Sequence, residues 1–363
     1  MFIYLNISMF EFSEFAPCLS LTQENSGASL LYVYTLGSTM KCTLYSLVVV
    51  DVGRKVDHSG KEVTTKSVRS APVYVEILPK YRVLDTFHKT VAGKKAVFMI
   101  KFYDPDDIVV EGKVDVQNPF DPHVLELKKE LVSQCLAYAR KLDHASDVYE
   151  EYSLYCISGY TNLNTLVTKN RGKIIGLMRS EMEPMDPVVV ETALRESSLK
   201  YSSDDLAVVG WDSSVVFSDQ DEFPEIIEIL TVSNIELLNA RLMNEELEES
   251  LLKLSSLMKK RLGYFKLREA LNFVLHMRTE ALFKFDHIKR NINRYGDWYT
   301  AKLYGLATDK FHIAEKMQEV YRKLDTFEDV YQMLSEQINW YYLMLLEVGI
   351  FLLIVWEVLA AFF

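Results

Sequence analysis

Four acidic residues in the segment "YDPDDIVVEGKVDV" are of a type that could bind a metal ion. They are Asp104, Asp106, Asp107 and Glu111, and carboxylate oxygens are the ligands that Ca²⁺ and Mg²⁺ prefer. Their spacing differs from that of a calcium-binding loop, and two prolines follow shortly downstream. We therefore interpret the segment as an acidic connector and predict neither a metal nor a cofactor.

Two histidines on one helix could also do chemistry. His276 and His287 lie eleven residues apart, with Glu280 and Asp286 nearby. A zinc site on a helix needs ligands one turn apart, not three, so these side chains are predicted to contact solvent or another helix. The chain also has no phosphate-binding loop, dinucleotide fingerprint, zinc-protease motif or nucleophile elbow. The sequence thus predicts a non-enzymatic protein.

Two carboxylates interrupt the apolar segment "WYYLMLLEVGIFLLIVWEVLAAFF", which runs from Trp340 to Phe363. The segment exceeds the about 20 residues needed to span a bilayer, and it contains Glu347 and Glu357. The aromatic residues at its start are typical of the membrane–water interface. We predict a single transmembrane helix with interfacial anchors at Trp340, Tyr341 and Tyr342.

The two acids make this helix a marginal membrane span. About fourteen Leu, Ile, Val and Phe residues favour insertion by about 6 kcal/mol, and two acids oppose it by about 5 kcal/mol. On a helix Glu347 and Glu357 point about 80° apart, and no Lys, Arg or His follows Lys323. The carboxyls therefore require a neighbouring helix, which predicts a homo-oligomer. A polar path for protons or cations, and a terminal helix buried in protein, remain alternatives.

Charge is unevenly distributed along the chain, whose net charge is -11. This balance argues against DNA as a partner. The stretch from Lys253 to Lys323 nevertheless carries about +9 by residue count. The predicted basic face consists of Lys259, Lys260, Arg261, Lys266 and Arg268. Three interpretations stay open for this face: solvent or the chain's own acidic domain, anionic lipid headgroups, and a protein, RNA or ribosome partner.

The positions of the prolines divide the chain into two parts of different structure. All nine prolines lie at or before Pro224, and proline breaks helix interiors, so the second part is predicted to be helical. Three helices are expected there: Pro224 to about Leu262, residues 266–293, and residue 298 to the C-terminus, the first with a coiled-coil seam. Four scattered cysteines indicate a reducing compartment.

Short strands and helices alternate in the first part of the chain. Strand-like runs and two amphipathic helices are separated by turn signals. The runs are "LLYVYTL", "CTLYSLVVVDV", "VYVEIL", "AVFMIKFY" and "IVVEGKVDV", and the opening "MFIYLNISMFEF" is interpreted as a strand. The predicted fold class is α+β, with an N-terminal sheet-and-helix domain, a helical stalk and one transmembrane helix. The predicted domains are an α+β lobe (1–150), a second α/β lobe (151–222), the stalk (223–338) and the membrane helix (339–363).

Several segments resemble the YagE-like, "required for meiotic nuclear division" family of membrane-anchored proteins. The tail "LLEVGIFLLIVWEVL" has two acids ten residues apart, and "GDWYTAKLYGLATDKFHIAEKMQEVYRKLDTFEDV" is similar to the family's stalk. The family-like positions are Trp211 and Asp212 in a strand pair and Leu237, Leu238 and Arg241 on the following helix. Where many members carry a Leu-Asn pair, this chain has Val320-Tyr321. The resemblance covers about residues 200–360 and implies an oligomeric, membrane-anchored, non-enzymatic protein.

These observations together predict a membrane-anchored oligomeric scaffold or adaptor. Because almost no residues follow the span, insertion is expected after translation, with the large domain cytoplasmic and the chain in the cell membrane as a single-pass protein. The alternative is a cation-transport subunit similar to CorA-type magnesium channels, with Glu347 and Glu357 as a polar path. That family's Gly-Met-Asn signature is absent from this sequence.

Overall fold

Nine strands form one sheet in the described part of the chain. The computed structural model describes residues 40–53, 61–63, 80–218, 222–258, 263–292 and 298–362. The strands are β1 (Lys41–Asp51), β2 (Lys61–Val63), β3 (Tyr81–Val91), β4 (Lys94–Tyr103), β5 (Asp107–Val116), β6 (Tyr149–Ser158), β7 (Ser198–Leu199), β8 (Leu206–Val209) and β9 (Ser213–Phe217). The helices are α1 (His123–Ala139), α2 (Leu163–Arg179), α3 (Pro187–Ser197), α4 (Phe223–Met258), α5 (Tyr264–Ile292), α6 (Trp298–Lys310) and α7 (Ile313–Phe362).

The strand order is β2-β3-β4-β5-β1-β6-β9-β8-β7. All neighbours are antiparallel except β6 and β9, which are parallel. β1 lies at the centre, where Val48 is opposite Val110 of β5 and Glu151 of β6. Its run of buried residues from Leu47 to Val50 follows from this position, because a central strand covered on both faces is apolar on both sides.

Helices cover both faces of the sheet. Successive side chains of a strand point to opposite faces, so β1 contributes Val48 and Val50 to one core and Leu47 and Val49 to the other. The first core packs under α1, α2 and α3, and the second packs under α4 and α6. The sheet is therefore the middle layer of three.

The first half of α4 is buried on almost every side. Residues 225–238 are all buried, including Glu228 and Glu236, because the sheet covers one side and α6 and the start of α7 cover the other. Beyond residue 242 only one face of α4 remains buried. That face joins α5 and α7 in a three-helix bundle around Leu247, Leu254 and Phe327.

The predicted fold class is confirmed: an N-terminal sheet with helices leads to a long C-terminal helix that ends in an apolar stretch. Strands from the predicted ranges 1–150 and 151–222 lie in one continuous sheet, since β6 pairs with β1. Strand β3 and helix α3 were missed from the sequence. The runs "LLYVYTL" and "VYVEIL" and the opening strand lie outside the described residues.

The last predicted helix, residue 298 to the C-terminus, is broken. Helix α6 ends at Lys310 and α7 begins at Ile313, and His312 between them has φ 51°. Phe311 is fully buried, and its ring lies 5.3 Å from that of Tyr152. Packing of this aromatic residue into the sheet's second core therefore docks α6 on the sheet, and α7 alone continues along the bundle.

Candidate functional site

Helix α7 has an apolar C-terminal part that, beyond Tyr342, is not buried by any other element among the described residues. The helix buries one face as far as Ile338, Tyr341 is half-buried, and every residue from 342 to 361 is exposed. The most apolar stretch has a mean hydropathy of 2.4 with none of it buried. By length and composition it is the one helix in the described part of the chain that could cross a membrane. We call residues 342–361 the apolar helix end.

Glu347 and Glu357 both lie on this apolar helix end and are exposed. Neither carboxylate has a hydrogen bond or ion pair with the described residues of the same chain. Their ten-residue separation places them about 15 Å apart along the helix axis. Any partner that satisfies them must therefore come from outside the described part of the molecule.

Aromatic side chains surround the point where α7 leaves the bundle. The hydroxyl oxygens of Tyr264 and Tyr342 lie 2.6 Å apart, and the ring centroid of Tyr264 lies 6.4 Å from that of Tyr341. Trp340 packs edge-on against Tyr341 at 5.8 Å, and Phe265 lies against Tyr264 at 5.6 Å. We call these five residues the aromatic collar.

The predicted anchors Trp340, Tyr341 and Tyr342 are thus brought together with two residues that sequence reasoning missed. Tyr264 and Phe265 begin α5, directly after Gly263. Phe265 is 85% exposed, whereas Leu267 in the next turn is buried in the bundle. A phenylalanine in the first turn of a helix, outside its apolar seam and next to a tyrosine that continues the seam, is the signal that could have identified them.

Part of the predicted basic face adjoins the aromatic collar. Lys266 and Arg268 are exposed in the first turns of α5, and Arg268 lies within interaction range of the Tyr264 hydroxyl. The other predicted members, Lys259, Lys260 and Arg261, lie outside the described residues.

The register of the bundle explains this juxtaposition. Arg278 of α5 donates to Glu328 of α7 at 2.7 Å. Arg278 lies fourteen residues after Tyr264 on α5, and Glu328 lies fourteen residues before Tyr342 on α7. Because antiparallel helices advance equally per residue, this ion pair predicts that Tyr264 is level with Tyr342, as found. On α4, Glu248 accepts from Lys323 at 2.9 Å, which fixes the position of α4 against α7.

A cluster of charged groups is buried between the sheet and α4. The Lys101 ammonium lies 2.7 Å from Glu111 Oε2, and the Tyr103 hydroxyl donates to Glu228 Oε2 at 3.0 Å. Burial raises the pKa of Glu228 to about 7, although Lys101 and Tyr103 oppose the shift. Burial lowers the pKa of Lys101, but the carboxylates of Glu111 and Glu228 outweigh it and raise it overall. We call these four residues the buried charge cluster.

Other carboxylates lock α4 against its neighbours. Asn239 Nδ2 donates to Asp107 Oδ2 at 3.0 Å, and the Tyr304 hydroxyl of α6 donates to Glu236 Oε2. Burial raises the pKa of Glu236 to about 8, opposed by the Tyr304 hydrogen bond.

The acidic side chains of the segment "YDPDDIVVEGKVDV" contact different partners and do not converge on one point. Asp104 pairs with Arg82 at 2.6 Å, Asp107 with Asn239, and Glu111 with Lys101. Among the residues described, no group of three or more His, Cys, Asp or Glu side chains could hold a metal ion. Glu111 thus joins β5 to β4, Asp107 joins β5 to α4, and Asp104 joins the end of β4 to β3.

The family-like residues lie at two structural joints. Leu237 and Leu238 are buried in the second core, and Arg241 of α4 donates to Glu150 of β6. Asp212, in the turn between β8 and β9, pairs with Lys128 of α1 at 3.0 Å. Trp211 is half-exposed, and its ring lies 5.9 Å from that of His312.

Ser180 lies between the charges of the second joint. Its hydroxyl donates to Asp212 Oδ2 at 2.7 Å and accepts from Lys128. A nucleophilic serine needs a base that takes its proton, but here the accepting carboxylate is already paired with the Lys128 ammonium. The arrangement therefore fastens the β8–β9 turn to the end of α2, next to Ser213, whose hydroxyl is shared by the Leu177 and Met178 carbonyls.

Comparison with known proteins gives one family. A family model described as "Uncharacterized protein MJ0711, N-terminal domain" matches residues 42–223, which contain the whole described sheet except Lys41 and end where α4 begins. "Uncharacterized protein MJ0711" of Methanocaldococcus jannaschii is 30% identical over 288 residues, covering 79% of this chain and 87% of that protein. That alignment is longer than the domain match, so the similarity extends into the helices. No solved structure matches.

These comparisons do not bear on the predicted YagE-like resemblance. Both matching descriptions name an uncharacterized protein, and neither mentions the meiotic nuclear division family. The resemblance stays a prediction.

Proposed function

The chain belongs to the family of the uncharacterized protein MJ0711, and on that premise we propose that it is a membrane-anchored scaffold. In this proposal the apolar helix end crosses a lipid bilayer once, and the bundle and sheet domain stand on the cytoplasmic side. Copies of the chain associate through their membrane helices. The protein acts by holding its sheet domain at the membrane for a partner, without catalysis.

The observation that supports the anchor is the exposure of the apolar helix end. An amphipathic helix of a soluble protein buries its apolar stripe against the rest of the molecule. From residue 342 to residue 361, α7 carries apolar side chains on every side, with Glu347 and Glu357 as its two charged residues, and it is exposed throughout. At about 1.5 Å per residue its length is about 30 Å, the thickness of the hydrocarbon core of a bilayer.

Self-association follows from the two carboxylates on that helix. Glu347 and Glu357 have no partner among the described residues of their own chain, and an acid left alone in hydrocarbon is costly. Carboxyl groups facing a sister helix can hydrogen-bond across the interface, for about 0.6 to 2 kcal/mol each. A homo-oligomer therefore reduces the cost of inserting each copy.

The anchor is tested by placing a charge at the middle of the span. Ile350→Arg adds about 2.5 to 3.5 kcal/mol to the cost of insertion, enough to prevent insertion of a helix whose balance is already close to zero. Full-length chain is expressed and its membranes are extracted at alkaline pH. The unmodified chain is expected to stay in the pellet and Ile350→Arg to be released.

Leu275→Arg is the matched control. Leu275 is a half-exposed apolar residue on α5, about 16 Å before the collar by the bundle register, so an arginine there leaves insertion unchanged. Release of the unmodified chain from membranes would overturn the anchor, and so would equal retention of all three proteins.

A cation-transport subunit is the competing proposal, because two acids lie along one apolar helix. The conservative pair Glu347→Gln and Glu357→Gln separates the two. Transport predicts that the pair abolishes cation flux into vesicles while insertion and oligomer mass are unchanged. The scaffold predicts no flux from the unmodified chain.

A further inference from the structure

We propose that the aromatic collar, together with Lys266 and Arg268, forms a second membrane contact that binds the phosphate headgroups of anionic lipids. This inference rests on the anchor proposed above and extends it to the side of the bundle from which α7 emerges. It assigns one occupant, an anionic phospholipid surface, to the exposed start of α5.

The first argument is the position of these residues along the axis of the helix bundle. The hydrogen bond between Tyr264 and Tyr342 fixes the start of α5 to the first turn of the apolar helix end. If α7 enters a bilayer at that turn, the first turn of α5 must lie in the headgroup layer. The register from Arg278 and Glu328 gives the same level independently.

The second argument is the exposure of Phe265. Its side chain is 85% exposed, while Leu267 and Ala270 of the same helix are buried in the bundle. A large aromatic ring facing outward beside Tyr264, Tyr341 and Tyr342 is poorly placed for water but suited to the membrane interface, where aromatic residues are enriched.

The third argument is charge. From Lys253 to Arg268 the sequence has six basic residues and no acidic one, with Glu269 following on α5. On α7 itself no Lys or Arg follows Lys323, so the membrane helix lacks the flanking cations that normally mark its cytoplasmic end. Because α5 packs beside α7 in the bundle, it supplies Lys266 and Arg268 near the start of the apolar helix end, where α7 itself has no cation.

The alternative partners of the basic face fit this geometry less well. An RNA surface would need cations along an extended face, whereas Lys266 and Arg268 adjoin an exposed Phe and the emerging apolar helix. Basic residues near an anionic surface each contribute about a five-fold preference at moderate salt. Two of them predict about a 25-fold preference for an anionic over a zwitterionic lipid.

The test uses full-length protein in phosphatidylcholine vesicles with and without phosphatidylglycerol, read by hydrogen–deuterium exchange. The first intrahelical bond of α5 runs from the Leu267 amide to the Gly263 carbonyl at 3.0 Å, so exchange at residues 264–266 reports contact rather than helix bonding. We expect exchange there to slow by about an order of magnitude with phosphatidylglycerol, and high salt to remove the effect.

The variant Lys266→Gln with Arg268→Gln is expected to lose this protection while keeping the Tm of the unmodified chain, since both side chains are exposed. The matched control, Lys302→Gln with Arg322→Gln, removes two exposed cations far from the collar and keeps the protection. Alkaline extraction is run on the same vesicles. A chain that is extracted overturns anchor and collar together. An inserted chain with equal exchange in both lipids overturns the collar alone, as does protection that requires added RNA.

Discussion

The Lys101 ammonium lies 2.7 Å from Glu111 Oε2, with both side chains buried between the sheet and α4. The residues lie on neighbouring strands, where Glu111 is opposite Met99 and Lys101 is two residues further along β4. The same cation also acts on Glu228 of α4, and its ammonium nitrogen lies 4.8 Å from the ring centroid of Tyr81. One lysine therefore compensates two carboxylates and connects β4, β5 and α4.

Replacing Lys101 is expected to cost more than replacing any other lysine on β4. In Lys101→Met, two buried carboxylates lose their cation, and breaking a buried pair costs about 3 to 5 kcal/mol. The measurement is the free energy of unfolding in denaturant, followed by circular dichroism of the detergent-solubilised chain. The control Lys95→Met changes an exposed lysine of the same strand and shifts stability by less than about 0.5 kcal/mol.

A second substitution checks the cause of that loss. Lys101→Met with Glu111→Leu removes both partners, and apolar replacement of a whole buried pair is often close to neutral. We expect part of the lost stability to return, because Glu111 is no longer stranded while Glu228 still lacks its cation. If the double variant is as unstable as Lys101→Met, the loss does not come from the stranded carboxylate of Glu111.

The stability of the helix–sheet joint is expected to fall as pH rises. Burial raises the pKa of Glu236 to about 8, above the value of about 4.3 for an unfolded glutamate. The folded state therefore holds this proton more tightly, so its stabilising contribution is complete below about pH 4 and is lost as pH rises through about 8, by at most about 1.4 kcal/mol per unit. Burial also raises the pKa of Glu228, to about 7, so its contribution to stability is likewise lost as pH rises.

Glu236→Gln tests this dependence because an amide keeps an acceptor for the Tyr304 hydroxyl but does not titrate. Between about pH 5 and pH 8, the free energy of unfolding of this variant is expected to decline less steeply than that of the unmodified chain. Glu245→Gln, at an exposed position of α4, should keep the original slope. Parallel slopes in all three proteins would contradict the assignment.

Periodicity and proline usage were enough to predict the fold class but not several elements. Strands β1, β4 and β5 coincide with apolar β-branched runs, and α4 and α5 lie in the segment without interior proline. Strand β3 was missed because "YRVLDTFHKTV" is largely polar and half-exposed, which reflects its position near the edge of the sheet. The break between α6 and α7 carries no glycine or proline; burial of Phe311 in the sheet's core determines it.

The residues of the candidate site were likewise only partly predictable from the sequence. Trp340, Tyr341, Tyr342 and the two glutamates were predicted from their spacing. The contact of Tyr342 with Tyr264 spans 78 residues of sequence and depends on the register of three helices, which no local pattern encodes. The buried carboxylates of α4 were missed because sequence periodicity assigns acids to solvent, whereas Glu228 and Glu236 find tyrosine donors in the core.

Close packing of the β8–β9 turn against α2 gives a third prediction. A Cβ on Gly210 would lie 2.5 Å from Met178 Cγ and 3.0 Å from the Met178 carbonyl oxygen. Gly210→Ala is expected to lower stability by about 1 to 3 kcal/mol and to loosen the joint that holds Asp212 beside Lys128. Thermal unfolding of the full-length chain measures it.

The same helix provides a control of opposite sign. Gly172 of α2, two residues after the kink at Asn170, has nothing within 4 Å of an added Cβ, and alanine in a helix is favoured over glycine by up to about 1 kcal/mol. Gly172→Ala should therefore raise the Tm while Gly210→Ala lowers it. Equal effects of the two substitutions would show that the turn can shift away from Met178 without cost.

Replacing Glu347 and Glu357 by leucine is expected to change the proposed membrane insertion and the proposed assembly in opposite directions. Glu347→Leu with Glu357→Leu removes a cost of about 5 kcal/mol from insertion and adds two favourable side chains, so retention in membranes after alkaline extraction should increase. The same change removes the polar groups that we propose to join sister helices, so the mass of the detergent-solubilised particle should fall toward that of one chain. Val348→Leu with Val358→Leu, at the adjacent positions of the same helix, should leave both readouts unchanged. An oligomer of undiminished mass in the double leucine variant would place self-association elsewhere on the molecule. An unmodified chain that is already monomeric would contradict the proposed self-association.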